Sequence, residues 1–261
     1  MNATELFKAG RLRPAIDAQA REVKANPADH ARRLFLFELL AFAGEFDRAK
    51  RQIEAVRYDQ PELAAAALNY RQVLDAEEAR RRLFRDGLRP QFLAPAPEHV
   101  KLRLEAADRL REHRPAEAAE LLARAQDTSP ALAGLLNDKP FRCLRDCDDL
   151  FGPVLEVFAK GAYFWVPLEQ VQSLAMNPPK FARDLVWVPA RLEVREGPSG
   201  EVFLPARYPG SEDSADDQVR LGRASDWKAA EGGPVLGVGA RTFLVDDDAV
   251  SLLEWRQLQM A

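Results

Sequence analysis

The sequence predicts an α+β protein of two domains: an N-terminal α-α superhelix over residues 1–140, followed by a β-rich α+β domain over 141–261. Three observations carry this expectation. A 34-residue repeat runs through the first 60 residues, long helical periods stop near Phe141, and short β-rich runs separated by Pro and Gly follow. At 261 residues the chain is long enough for two compact cores.

In the repeat, Leu6, Ala9, Gly10, Ala15 and Pro27 recur as Leu40, Ala43, Gly44, Ala49 and Pro61, every pair 34 residues apart, with Leu12 and Phe46 at the same offset. That is the period of a TPR helix pair, so the superhelix is expected to be TPR-like. Gly10 and Gly44 let the two helices of a pair approach near their turn. Ala15 and Ala49 open the second helix where a larger side chain would collide. Pro27 and Pro61 close each unit, since proline cannot continue a helix. A third unit, His113 to Pro130, copies the second helix with His113 in the glycine's place. A degenerate unit fits between, with Asn69 to Phe84 helical, and Arg89 to Pro97 with its three prolines reads as a loop that breaks the array. Stacked helix pairs form a concave surface suited to an extended peptide or a helix. Phe35, Phe37 and Phe42 are candidates to line it, against the alternative that they fill the core.

After Phe141 the candidate strands are Val154 to Phe158, Tyr163 to Val166, Leu185 to Val194, Val202 to Leu204 and Val235 to Val245. Gly197 to Gly200 reads as a hairpin turn, Leu168 to Leu174 as a short helix, and Ser211 to Asp217 as an exposed loop. Ala249 to Leu258 fits helix or strand. Gly237 and Gly239 suit a strand with close backbone approach.

Charge and motifs exclude several functions. The net charge of −4 divides as 24 basic against 22 acidic residues up to Pro140, and 13 against 19 beyond it. Neither part carries the concentrated positive stripe of a nucleic-acid binder. Arg80, Arg81, Arg82 and Arg85 lie within helical reach of Glu77, Glu78 and Asp86, and read as a solvated, salt-paired face. The longest apolar stretches are too short to span a membrane. The first residues lack a secretory signal pattern, which points to the cytoplasm. Cys143 and Cys147 read as ordinary thiols, without the second pair a metal site needs. The three histidines, His30, His99 and His113, sit in unrelated contexts. No HExxH, GxSxG or phosphate-cradling glycine motif is present. The acidic triplets Asp146, Asp148, Asp149 and Asp246, Asp247, Asp248 lack the layout of a calcium loop and read as caps and turns, with Asp149 a candidate acceptor of backbone hydrogen bonds at the domain junction. The sequence therefore gives no catalytic residue, no metal ligand and no cofactor.

Several phrases in the second half form a recognisable series. Asp148-Asp149-Leu150-Phe151-Gly152-Pro153-Val154-Leu155-Glu156-Val157 leads to Gly161-Ala162-Tyr163-Phe164-Trp165-Val166-Pro167-Leu168. Ala182-Arg183-Asp184-Leu185-Val186-Trp187 follows, then Pro189-Ala190-Arg191, Phe203-Leu204-Pro205-Ala206-Arg207-Tyr208-Pro209, Gly222-Arg223 before Asp226-Trp227, and Gly237-Val238-Gly239-Ala240-Arg241-Thr242-Phe243. Together these resemble the ImpE family, also called TagJ, with Arg207 and Ala240 standing where other residue types are expected. The resemblance spans nearly the whole chain. It implies a non-enzymatic accessory protein of the type VI secretion system that associates with an N-terminal helical segment of the small sheath subunit TssB. A link to sheath disassembly by the ATPase ClpV is implied as well. Two other functions compete: a small-molecule-binding or enzymatic C-terminal domain built on the aromatics, Arg183 and Asp184 between Tyr163 and Trp187, and a general scaffold with some other partner. Tyr163, Trp165 and Trp187 are the candidate partner-binding anchors, since aromatic residues concentrate interface energy; core packing is their other reading.

Overall fold

The computed structural model describes residues 1–56 and 61–261. It opens with two helix hairpins, α1 (Ala3–Lys8) with α2 (Leu12–Ala25) and α3 (His30–Phe42) with α4 (Phe46–Ala55). The long helix α5 (Pro61–Asp86) follows, and α6 (Glu98–Arg111) with α7 (Pro115–Asp127) forms a third hairpin.

The repeat is written into the turns. Gly10 and Gly44 have φ of 75° and 68°, the left-handed region in which a Cβ is penalised. At the first turn Gly10 N–H donates to the Phe7 carbonyl (3.0 Å) and Arg11 N–H to that of Leu6 (2.9 Å); at the second, Gly44 donates to Ala41 (3.2 Å) and Glu45 to Leu40 (3.0 Å). His113, in the glycine's place, has φ of 59° and closes the third turn by the same pair of bonds, to Leu110 (3.1 Å) and, through Arg114, to Arg109 (2.8 Å). Ala15 and Ala49 are fully buried, as a close helix crossing requires. The array differs from expectation in its middle. Asn69 to Phe84 lies inside unbroken α5, and Pro61 opens that helix instead of closing α4, because proline is tolerated in a first turn where its missing N–H would have no partner.

Beyond α7 the strands are β1 (Gly134–Leu136), β2 (Lys139–Phe141), β3 (Leu144–Asp146), β4 (Val154–Ala159), β5 (Ala162–Pro167), β6 (Val171–Met176), β7 (Trp187–Val194), β8 (Ser199–Pro205), β9 (Ser225–Ala229), β10 (Val235–Gly239), β11 (Thr242–Val245), β12 (Asp248–Ser251) and β13 (Gln257–Met260), with a one-turn helix α8 (Asp217–Arg220) before β9. Eight of them form an antiparallel sheet in the order β2-β1-β13-β6-β7-β8-β4-β5; β12-β11-β3 and β10-β9 are separate. The expected hairpin turn joins β7 to β8 but lies at Arg195 to Pro198, since Ser199 and Gly200 already pair with Glu193 and Leu192. Only Leu168–Gln170 of the expected helix is helical, as one 3₁₀ turn, and Val171 onward pairs with β7. The run Val235 to Val245 is two strands, broken where Ala240 pairs with Arg207 in an isolated bridge, so the two unexpected residue types face each other. Ser211 is fully buried at the head of a 3₁₀ turn, so Ser211 to Asp217 is not an entirely exposed loop. The ambiguous tail resolves into β12, a 3₁₀ turn and β13. The loop Arg89 to Pro97 covers the sheet edge: Gln91 N–H donates to the Tyr163 carbonyl (2.8 Å) and its carbonyl accepts from Trp165 N–H (3.1 Å).

Strand periodicity divides the interior. On β4, Leu155 and Val157 face a cluster with Val166, Leu174, Leu192, Leu204, Phe243 and Trp255, while Val154 and Phe158 face the helices. The helix-side cluster runs without a break from Leu12, Phe37 and Phe42 through Tyr70 and Leu83 to Trp165 and Trp187. Glu156, between Val154 and Phe158, is thereby directed at the helices.

The two repeat glycines offer a test. A Cβ at Gly10 would meet the flexible amide end of Gln218, whereas at Gly44 it would meet Cγ (2.5 Å) and Cβ (2.8 Å) of Glu212, which can move less. Both alanine variants should lose about 1 kcal/mol from the left-handed backbone, and Gly44→Ala should lose more. Equal shifts in urea midpoint would show that the Glu212 contact is immaterial.

Candidate functional site

The chemistry-bearing residues gather where α5 meets the sheet. Helical spacing puts Tyr70, Val73, Leu74, Glu77, Arg80 and Leu83 on the buried face of α5. Arg80 therefore points inward and meets Glu156 with both arms of its guanidinium, Nε–Oε1 at 2.8 Å and Nη2–Oε2 at 2.7 Å. Its Nη2 also donates to the Arg207 carbonyl (2.8 Å), and its Nη1 to Glu77 (3.3 Å). The second carboxylate oxygen of Glu77 accepts from the Trp187 indole (2.7 Å). On the far side, Arg241 donates to the same Glu156 through Nη1 and to Asp146 through Nε (2.7 Å). Tyr163 donates its hydroxyl to Glu156 and accepts from Trp165 Nε1 (2.5 Å), and Tyr208 donates to Asp146 (2.6 Å). Arg241 also stacks over the Phe151 ring, 4.3 Å from its centre, which offsets the burial of its unpartnered Nη2.

Burial decides the electrostatics. It pushes the Glu156 carboxyl upward, yet Arg80 and Arg241 outweigh it and hold the group below its ordinary value. Asp146 is raised by burial despite Arg241. Asp148, buried and beside Asp146, is pushed up to about 8, so it is largely neutral at pH 7. Its two oxygens accept from Leu150 N–H (2.8 Å) and Gly237 N–H (2.7 Å). Gly237 is required there: a Cβ would lie 2.4 Å from the Tyr208 ring. The Glu156 carboxylate is fully buried and its oxygens are occupied by guanidinium and hydroxyl donors. This arrangement holds the two parts of the chain together and leaves no open face of Glu156 for a substrate.

The sequence-derived candidates are placed as follows. Tyr163, Trp165 and Trp187 are 3%, 0% and 0% exposed, so all three are interior side chains whose polar tips serve the network. Phe37 and Phe42 are fully buried, and of the three phenylalanines Phe35 alone borders a groove. Arg183 does lock the helices to the strands, through Glu38 on α3. Asp184 instead accepts from the N–H groups of Lys180 (2.9 Å) and Phe181 (3.0 Å). Asp149 accepts from Val235 N–H (2.8 Å), within the strand-rich part and not at a junction with the helices, and Asp246 accepts from Arg142 and Cys143 N–H, a turn role as expected. Asp146 and Asp148, expected in solvated turns, are instead 0% and 3% exposed, because Arg241 and the N–H groups of Leu150 and Gly237 hold their carboxyl groups inside. Arg82 and Arg85 pair with Asp86 and Glu78 at the surface as expected, but Arg80 and Glu77 are a correction: they are 4% and 5% exposed, because both lie on the apolar face of the helix. Among the described residues, no group of three or more His, Cys, Asp or Glu is placed to hold a metal ion, and no helix is long and apolar enough to cross a membrane.

Sequence reasoning missed Glu77, Arg80, Glu156 and Arg241 as a unit. The available signal was a lone glutamate in the apolar run Val154 to Phe158 and an opposite-charge pair three apart on an apolar helix face. An accessible groove of about 620 Å³ lies between α1, α2 and α3. Ala3, Ala18 and Phe35 supply apolar surface, and Arg21, Glu22 and Arg32 its charged rim. Phe35 is braced edge-on against Phe7, with ring centres 6.1 Å apart.

Comparison with known proteins gives three findings. A family profile described as ImpE protein matches residues 138–259. The chain is 37% identical over 262 residues to the type VI secretion system accessory component TagJ of Pseudomonas aeruginosa, covering 99% of this chain and 90% of that protein. It also resembles the crystal structure of protein VPA1032 from Vibrio parahaemolyticus, with a TM-score of 0.90 and 27% identity, covering 99% of this chain and 97% of that one.

Two outcomes follow from the network. Arg241→Met should cost about 3–5 kcal/mol in chemical denaturation, since it leaves Asp146 buried without its cation. Adding Asp146→Asn should recover part of that loss, and strictly additive losses would argue against charge as the cause. For Asp148, a carboxyl whose folded pKa is raised favours folding below its unfolded value near 4 and loses that contribution as pH rises through 8. The thermal midpoint should therefore decline between about pH 5 and pH 8. Asp148→Asn should flatten the decline, and an unchanged slope would assign it to other groups.

Proposed function

The chain belongs to the ImpE family, and from that membership we propose a non-enzymatic adaptor of the type VI secretion system, working in the cytoplasm and binding the N-terminal segment of the small sheath subunit TssB. It is an accessory component of that system, as its 37% identity to TagJ over nearly the full chain indicates. The observation that carries the adaptor reading is the groove between α1, α2 and α3, which presents Phe35 beside mixed charge on helices backed by a continuous core. A short amphipathic helix fits such a surface, with an apolar anchor over Phe35 and polar residues at the rim.

In this reading the helices within residues 1–140 are a TPR-like superhelix cut to three hairpins and one long helix, and they present the docking surface, while β1 and β2 at the end of that range pair into the sheet. Residues 141–261 are the buttress that holds the hairpins at fixed angles. Packing is favoured over a substrate site for Tyr163, Trp165 and Trp187, because all three are buried and the neighbouring Arg183 is spent on Glu38. The link to ClpV-dependent sheath disassembly is part of the proposal: an adaptor seated on the sheath subunit's end is positioned to affect access of an unfolding ATPase to it.

Calorimetry with a synthetic peptide of the TssB N-terminal segment tests the reading. Phe35→Ala, with the fold verified by circular dichroism, should weaken binding about tenfold or more, the loss usual for an aromatic anchor. Absence of heat with both the peptide and the intact sheath subunit would refute the proposed partner.

A further inference from the structure

A second cleft, of about 490 Å³, lies between α7 and the turn that follows β3, remote in sequence from the α1–α3 groove. Its floor is apolar, from Ala119, Leu122 and Ala123 of α7. Its polar side is cationic. Arg103 of α6 is only 1% exposed, yet among the described residues it has no carboxylate within ion-pair distance. Its Nη1 donates to the carbonyls of Asp149 (2.7 Å) and Leu150 (3.2 Å), while its buried Nε–H has no partner among the described residues. Arg145, across the cleft, reaches Asp149 only at 4.0 Å. Gly152 packs its backbone against the Arg103 guanidinium, where a Cβ would sit 2.6 Å from its Cζ. A buried guanidinium held by neutral carbonyls is under-compensated, and a carboxylate is the group that completes it in planar geometry.

We propose that this cleft binds the carboxylate of an acidic side chain, with an adjoining apolar residue on the α7 floor, on a segment of a partner protein. Arg103 and Arg145 against the single Asp149 leave the cleft with one net positive charge, which one carboxylate balances. The apolar floor beside the charge selects an acidic residue with an aliphatic neighbour over a free acid. The site is independent of the groove at Phe35 and would let the protein hold two segments at once.

Arginine Nε–H signals in proton–nitrogen spectra of the full-length protein test this directly, because the buried Arg103 Nε–H is shielded from exchange. N-acetyl-Glu-Leu-amide should shift that signal saturably, and N-acetyl-Gln-Leu-amide should bind about tenfold more weakly, having lost the charge-assisted bond. Arg145→Gln, which alters a half-exposed side chain, should weaken the glutamyl probe with the melting temperature unchanged. No shift with the glutamyl probe overturns the proposal, as does an equal response to the glutaminyl probe or to sodium sulfate.

Discussion

The structure depends on one carboxylate. Glu156 is fully buried on β4, one strand in from the sheet edge, and leaving it charged there would be prohibitively costly without Arg80 on one side and Arg241 on the other. That requirement ties together three separate stretches of chain: α5, β4 and the link before β11. Sliding α5 by one turn, about 5.4 Å, would carry Arg80 out of reach and strand Glu156. Apolar packing alone tolerates such a slip far better, since leucine and valine faces look alike from one turn to the next. The ion network therefore works as a register device more than as a source of stability, the use for which buried ion pairs are best attested.

The same constraint explains the large aromatics around it. A tryptophan or tyrosine in an interior must place its polar tip, and here the tips have partners in the network: Trp187 on Glu77, Trp165 on Tyr163, Tyr163 on Glu156, Tyr208 on Asp146. Their rings meanwhile fill the space between helices and sheet, with Phe37 and Phe46 both 6.2 Å from Trp187. Residues that look like binding anchors in a sequence are thus equally what a polar core demands. Composition alone cannot separate the two, because both uses require a big apolar body with one hydrogen-bonding atom.

What was legible in the sequence followed from local rules. Gly10 and Gly44 announced their turns because the left-handed backbone there is a property of one residue and its neighbours, and His113 could be matched to them by offset even though its side chain is unlike theirs. The β4, β5, β7 and β8 runs were visible through their β-branched and aromatic content. β1, β2, β3 and β9 were not: the first three are three residues long and the fourth is exposed throughout, so none carries an alternating apolar signal. Leu168 to Leu174 reads as helix, with Leu168, Val171 and Leu174 three apart, a spacing that β6 overrides by pairing on both edges. The groove beside Phe35 is half legible: the sequence offers three phenylalanines on α3, and only packing tells that Phe35 is the one that borders it.

The turns of the first two hairpins also bear on how a partner would be held. Arg223 donates to the carbonyls of Phe7 (2.9 Å) and Lys8 (3.1 Å) at the end of α1, and Arg207 to those of Ala41 (3.1 Å) and Phe42 (2.9 Å) at the end of α3. Each arginine adds a donor to carbonyls in the last turn of its helix and places its charge at the negative end of the helix dipole. Both come from the segment after β8, and Asp217 beside them accepts from Leu12 N–H (3.1 Å) at the start of α2. The helices that line the groove are thus pinned at their ends by the strand-rich part, not merely packed on it. A surface held in this way loses little conformational freedom when a peptide arrives, so more of the contact energy appears as affinity. A free array of short hairpins, with α1 only six residues long, would have to be ordered at the moment of binding. The strand-rich half is in this way what would make a docking surface on so short an array workable.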